Sequence, residues 1–192
     1  GFFELFDPLY GNPDVQPEEG RTVEAGFRQA FLDKRLNVEL TYWHTKLDNV
    51  IAFVGQVNPD GTFGGTYVNR DTGEAEGVEL VGNYWLDENW SLTANYTYTD
   101  AEEDDGNPVV GASRNTFNLV GYSENDHFNA RVAYNYRSHF YSGLDRRSAF
   151  NQDDTQSVSA SVGWTFNDML SITLDGMNLT NEKLKYYADN KD

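Results

Sequence analysis

Apolar and polar residues alternate one for one along most of this chain, in blocks of about ten residues. Trp90, Leu92, Ala94, Tyr96 and Tyr98 fall on one side, and Ser91, Thr93, Asn95, Thr97 and Thr99 on the other. Successive side chains of a strand point to opposite faces, so a period of two predicts a strand with one apolar and one polar face. The pattern returns with Phe128, Ala130, Val132, Tyr134 and Tyr136 against Asn129, Arg131, Ala133, Asn135 and Arg137. It returns again with Val158, Ala160, Val162, Trp164 and Phe166 against Ser157, Ser159, Ser161, Gly163 and Thr165, and with Leu170, Ile172 and Leu174 against Ser171, Thr173 and Asp175. Weaker copies run from Val23 to Phe31, Leu36 to Tyr42, Val78 to Leu86 and Phe117 to Gly121. Helical spacing competes nowhere, and the chain predicts about eight strands in four tight hairpins.

The connections alternate in length. Short turns rich in Asn and Asp fall at Asp33 to Arg35, Asp87 to Asn89, Glu124 to Asp126 and Asn167 to Met169. Between them lie longer links, roughly 20 residues from Val54 to Glu74, a dozen or so from Ala101 to Ser113, and about 16 from Ser138 to Asp153. Short turns at one end and long loops at the other are the signature of an outer-membrane barrel.

The polar face separates a barrel from a soluble sandwich, whose outward face is usually charged. Here it is mostly Ser, Thr, Asn and Gly, with Glu79, Arg131, Arg137 and Asp175 as exceptions, which suits a water-lined or plugged lumen. Aromatic residues gather toward strand ends, with Trp85, Trp90, Trp164 and Phe166 beside the tight turns and Tyr42, Trp43, Tyr96, Tyr98, Tyr134 and Tyr136 toward the long links. Two such bands match the girdles that sit at headgroup level.

Composition narrows the picture. Fourteen Lys and Arg against 31 Asp and Glu give a net charge of −17, which excludes a nucleic-acid partner held by phosphate contacts. The acidic surplus lies in runs between strands, such as Asp100 to Asp105 and Asp153-Asp154, and reads first as solvated loop charge. These runs lack the regular spacing of a calcium loop, and solvated charge, or bridging to lipopolysaccharide through divalent ions, is the better reading of them. There is no cysteine and no apolar run long enough for a spanning helix. The mean hydropathy of −0.66 suits a barrel, whose strands are half polar. The fold class is therefore all-β, an antiparallel transmembrane β-barrel.

Four segments carry a family likeness. Gly11-Asn12-Pro13-Asp14-Val15-Gln16-Pro17-Glu18, Glu76-Gly77-Val78-Glu79-Leu80, Leu92 to Asp100, and Leu174-Asp175-Gly176-Met177-Asn178-Leu179-Thr180-Asn181-Glu182 resemble, in order, segments of the barrel of TonB-dependent outer-membrane receptors. The resemblance implies a 22-stranded barrel of which this chain would supply about eight strands, roughly the fourteenth to the twenty-first. Residues 1–192 would then be a partial barrel domain, with the plug, the first strands and the closing strand outside it. The resemblance further implies residence in the cell outer membrane and active, TonB-coupled uptake of a scarce nutrient, a ferric siderophore or an oligosaccharide. Its partners would be the lipid bilayer and lipopolysaccharide, the nutrient ligand, and the TonB complex reached through the missing N-terminal region. A passive porin is the alternative, although porins line their lumen with opposed charges.

Loop residues would select the ligand. The candidates are Phe53, Phe63, Tyr67, Asn69, Tyr141, Phe150 and the basic pair Arg146 and Arg147; arginine suits an anionic ferric chelate and aromatic rings suit a sugar. His44, His127 and His139 are far apart in sequence, so no metal site is assigned, and no cofactor is called for. His139 with Ser138 and Ser142 is the one local group that invites a catalytic reading, but it lacks an acid partner in the sequence, so no catalytic residue and no enzyme is expected.

Overall fold

The structure, a computed structural model, describes residues 2–103, 106, 108–145 and 148–189. It opens with a short helix α1 (Phe2–Phe6), and eleven strands follow: β1 (Glu19–Phe31), β2 (Leu36–Val57), β3 (Phe63–Trp85), β4 (Trp90–Glu103), β5 (Asn115–Glu124), β6 (Phe128–Arg137), β7 (Phe140–Asp145), β8 (Ser148–Gln152), β9 (Thr155–Asn167), β10 (Leu170–Gly176) and β11 (Tyr186–Asp189). Eight of them form one antiparallel sheet in the order β1-β2-β3-β4-β5-β6-β9-β10, and the other three form a small sheet β11-β8-β7. The alternating blocks became the eight strands, and the four tight turns join them where Asn and Asp were expected. At the first of these, Leu32, Asp33 and Lys34 all take left-handed backbone, with φ between 52° and 70°.

Register sorts the side chains into two faces. Ala25, Tyr42, Val78 and Tyr98 share one row, and Phe27, Leu40, Leu80, Tyr96, Phe117 and Tyr136 the next. These rows are apolar and face outward, with Phe27 at 61 % and Tyr42 at 45 % exposure. Among the described residues only Val15 and Ala133 are buried apolar residues, so the sheet has no core of its own. A surface of that kind is stable against acyl chains rather than water. From Trp90 to Tyr98 on β4 is eight residues, about 26 Å along the strand and about 20 Å of height at a tilt near 40°, close to the apolar band of such barrels.

The opposite face is polar: Asn95, Asn118, Asn135 and Ser157 lie in one row. The next row up runs Thr41, Glu79, Thr97, Thr116, Arg137 and Thr155. Trp43 and Trp85 were expected in the girdles, yet their register puts them on this inward face. Trp43 stands opposite Gly77, and a Cβ at Gly77 would come within 2.6 Å of the indole. The glycine is what admits the large ring there.

The long links are more ordered than the sequence implied. The Val54 to Glu74 stretch is an extension of the β2–β3 hairpin, closed by a turn at 58–62. Ser138 to Asp153 holds the β7–β8 hairpin. The polar stretch after Lys183 holds β11, which pairs with β8. Each case reflects the same physics: beyond the bilayer both faces meet water, so pairing persists while the alternation that advertises it fades.

Candidate ligand-binding site

Neighbouring strands hold β2 only up to Asp48, the partner of Glu19 on β1, and hold β3 only down to Gly73, the partner of Glu103 on β4. Past Asn49, which takes left-handed backbone at φ 59°, the two strands continue alone as a projecting arm, Val50–Val57 paired with Phe63–Arg70. Its cross-strand pairs Ile51 with Asn69, Phe53 with Tyr67, Gly55 with Gly65 and Val57 with Phe63 stand on one face of the arm. Four candidates, Phe53, Phe63, Tyr67 and Asn69, therefore share one face. Both glycines are occupied from above: a Cβ at Gly55 would meet Phe63 Cζ at 2.6 Å, and one at Gly65 would strike the Phe53 ring. The paired glycines let both rings lie flat on the ladder.

The segment before β1 crosses this face as a strap. At the β3 side, the Tyr67 amide donates to the Tyr10 carbonyl at 3.3 Å, and Asn12 Nδ2 donates to the Tyr67 carbonyl at 2.8 Å. Mid-face, the Gln16 amide donates to Asn69 Oδ1 at 2.7 Å, and Asn69 Nδ2 donates to the carbonyls of Gln16 and Asn49 at 2.9 and 2.8 Å. At the β2 side, the Glu18 carboxylate accepts the Ile51 amide at 2.8 Å. Aromatic edges fill the space between: Tyr10 on Phe53 at 5.5 Å, Phe53 on Tyr67 at 5.3 Å and Phe3 on Tyr67 at 6.4 Å. Sequence reasoning missed Phe3, Tyr10, Asn12, Gln16 and Glu18, since partners some fifty residues away leave no local trace. Phe63 remains open to solvent at 64 % exposure.

The remaining candidates lie elsewhere. Tyr141 is on β7 and Phe150 on β8, and the Phe150 ring stacks on Tyr186 of β11 at 5.5 Å, nearly parallel. The Tyr141 carbonyl accepts the Gly111 amide at 2.8 Å, while burial, then the negative charge of Glu103, push its phenol above the ordinary range. Arg146 and Arg147 lie outside the described residues.

Arg137, read from sequence only as an exception on the polar face, ties these loops together. Its Nε donates to Ser113 Oγ at 2.6 Å, its Nη2 donates to the Gly111 carbonyl, and the guanidinium lies 3.9 Å over the Phe140 ring. His139 does find an acid, fifteen residues on. Asp154 accepts the His139 amide at 2.6 Å and the Tyr136 hydroxyl at 2.9 Å, with the His139 ring 3.3 Å away. The His139 amide most of all holds this carboxyl below its usual range; burial opposes it, and the Tyr136 and His139 side chains add to the lowering. The arrangement is a structural clasp. Ser138 is buried and its Oγ accepts the Asn115 amide at 2.9 Å. Among the described residues no group of three or more acidic or histidine side chains is arranged to hold a metal ion.

Comparison with known proteins agrees with this geometry. The family model for the TonB dependent receptor-like beta-barrel matches residues 1–179. The ferric-pyoverdine 358 receptor of Pseudomonas putida is 27 % identical over 97 % of this chain and 24 % of its own length. An iron-regulated outer membrane virulence protein of Vibrio cholerae is 26 % identical over 93 % of this chain and 29 % of its own length. The solved ferripyoverdine receptor of the outer membrane of Pseudomonas aeruginosa, bound to ferripyoverdine, shares the fold with a TM-score of 0.70 at 20 % identity, over 88 % of this chain and 24 % of that one. The chain thus spans about a quarter of the length of these relatives. With its open eight-stranded sheet, lipid-facing belt and polar inner face, it is an outer-membrane protein that belongs to the TonB-dependent receptor family, in that family's β-barrel domain.

Proposed function

We propose that the protein containing this chain is a receptor for active, TonB-coupled uptake of a metal–siderophore complex, and that the strapped face of the β2–β3 arm takes part in holding the ligand. The carrying observation is the family match over residues 1–179, taken with relatives whose names are those of iron-chelate and iron-regulated receptors. Supporting it, Phe53, Phe63, Tyr67 and Asn69 share one face of the arm, where the strap packs on Phe53, Tyr67 and Asn69 and leaves the Phe63 ring open to solvent. Such a surface suits a bulky chelate with aromatic or amide groups at its rim. Tyr141 and Phe150 on the small sheet would contribute as well, and so, from their charge alone, would Arg146 and Arg147. The TonB complex would be engaged by parts of the protein outside this chain.

The test is direct binding. The purified whole receptor, titrated with a panel of ferric catecholates, ferric hydroxamates and linear oligosaccharides, should show submicromolar affinity for one class of ferric chelate. Phe53→Ala and Tyr67→Ala should each weaken it by about tenfold, as expected for lost aromatic contacts of roughly 1–1.5 kcal/mol. Binding of oligosaccharides in preference to every chelate would overturn the siderophore reading.

A further inference from the structure

The strap supplies to the arm the same kinds of group that a ligand would bring. Tyr10 sets its ring edge-on to Phe53, with the centroids 5.5 Å apart and the planes at 90°. The amide and the carbonyl of Gln16 both pair with the side-chain amide of Asn69, at 2.7 and 2.9 Å. The Glu18 carboxylate accepts the Ile51 amide at 2.8 Å. An aromatic ring, a donor and acceptor pair and an anionic oxygen thus already occupy the arm, all of them from residues 10–18 of the chain itself.

The hold is shallow. The bonds at Gln16 and Glu18 are exposed to solvent, and Val15 is the one buried apolar residue of the strap. A segment held by exposed hydrogen bonds with little apolar burial opens at low cost while the rest of the fold stays closed. Phe63, on the same face at 64 % exposure, gives an arriving molecule a first contact before the strap leaves. We propose that residues 10–18 are an autoinhibitory strap: Tyr10 keeps the place on Phe53 of an aromatic group of the chelate, and binding displaces the strap from the arm. The inference rests on the receptor reading and on the arm as its ligand site. A ligand that must wait for the strap binds with an affinity lowered by the fraction of time the strap is closed, so loosening the strap strengthens binding. A strap that formed part of the ligand site would do the reverse.

The test uses the whole receptor and two probes, a ferric tris-catecholamide with aromatic rings at its rim and a ferric trihydroxamate without any. Phe53 and Asn69 face both strap and chelate, so the variants are made on the strap. Tyr10→Ala removes the ring from Phe53, and Asn12→Ala removes the bond to the Tyr67 carbonyl, while the side chains of the arm stay as they are. Each variant should raise the association rate of the catecholamide about fivefold and leave its dissociation rate unchanged. Saturating wild type with the catecholamide should speed hydrogen exchange at the Gln16 amide about tenfold, because Asn69 no longer holds it, and the hydroxamate should leave that exchange as it was. Slower exchange at Gln16 in the catecholamide complex, as a lid closing over the chelate would give, overturns the proposal. So does an association rate that is unchanged or lower in either variant, or equal release of Gln16 by the hydroxamate. Wild type that binds neither chelate sinks the receptor reading and this inference with it, whereas tight binding with the strap still closed sinks this inference alone.

Discussion

Replacing Asn69 by alanine should loosen the strap over the arm while leaving the barrel intact. The side chain makes three hydrogen bonds: it accepts the Gln16 amide and donates to the carbonyls of Gln16 and Asn49. The two to Gln16 hold the strap and the third stays within the arm; each of the two contributes about 0.5–1.5 kcal/mol net, toward the lower end here because they are exposed, for a total of about 1.4 kcal/mol. The aromatic contacts of Tyr10 and Phe3 remain, so the strap opens more often without detaching. A loss of about 1.4 kcal/mol is a factor of ten in the opening equilibrium. Hydrogen exchange at the Gln16 amide should therefore accelerate about tenfold, and the Tyr67 amide, bonded to Tyr10, should follow more weakly. Asn69→Asp keeps the acceptor for Gln16 but loses both donated bonds, and should fall between. Val68→Ala, on the other face of β3, is the control. Unchanged exchange at Gln16 in Asn69→Ala, or equal acceleration by Val68→Ala, would refute the reasoning.

Other outcomes follow from the same geometry. Arg137→Ala should free the loop holding Gly111 and Ser113, seen as faster trypsin cleavage after Arg114, and Arg137→Lys should not restore protection because an ammonium cannot serve two acceptors and lie flat on Phe140. The Asp154 carboxyl is held below its ordinary value of 3.8, so its contribution is fully present above that value and is lost as pH falls through the depressed one. Exchange protection of the β7–β8 hairpin should thus fall on acidification below about pH 4, and Asp154→Asn should flatten that dependence. Gly77→Ala would press a methyl group against the Trp43 indole and the Tyr98 carbonyl, and should lower stability to urea unfolding in lipid by about 1–3 kcal/mol.

The membrane-spanning part was legible because two solvents act on it at once. With lipid on one side and a polar lumen on the other, residues such as Trp90 to Thr99 alternate strictly, and a strand announces itself by its pattern. The arm lacks that constraint. Val50-Ile51-Ala52-Phe53-Val54 is apolar on both faces, one under the strap and one toward solvent, and it resembles a loop only because the period is gone. The clasp of His139 by Asp154 and the strap bonds of Tyr10 and Gln16 depend on chain reversals that no spacing encodes. Trp43 shows the opposite failure: an aromatic near a strand end suggests a girdle, yet its register with Gly77 turns it inward. Phe53, Phe63, Tyr67 and Asn69 were named from residue type alone, and their convergence on one face came only from the pairing of β2 with β3.

The most direct test of the proposed function is uptake of a radiolabelled ferric chelate by cells carrying the whole receptor, with and without a working TonB complex. Coupled transport predicts that cells lacking TonB still bind the chelate at the surface but accumulate none, and that the receptor supports accumulation when TonB is restored. Equal accumulation in both strains would mean passive passage through a pore and would contradict the account.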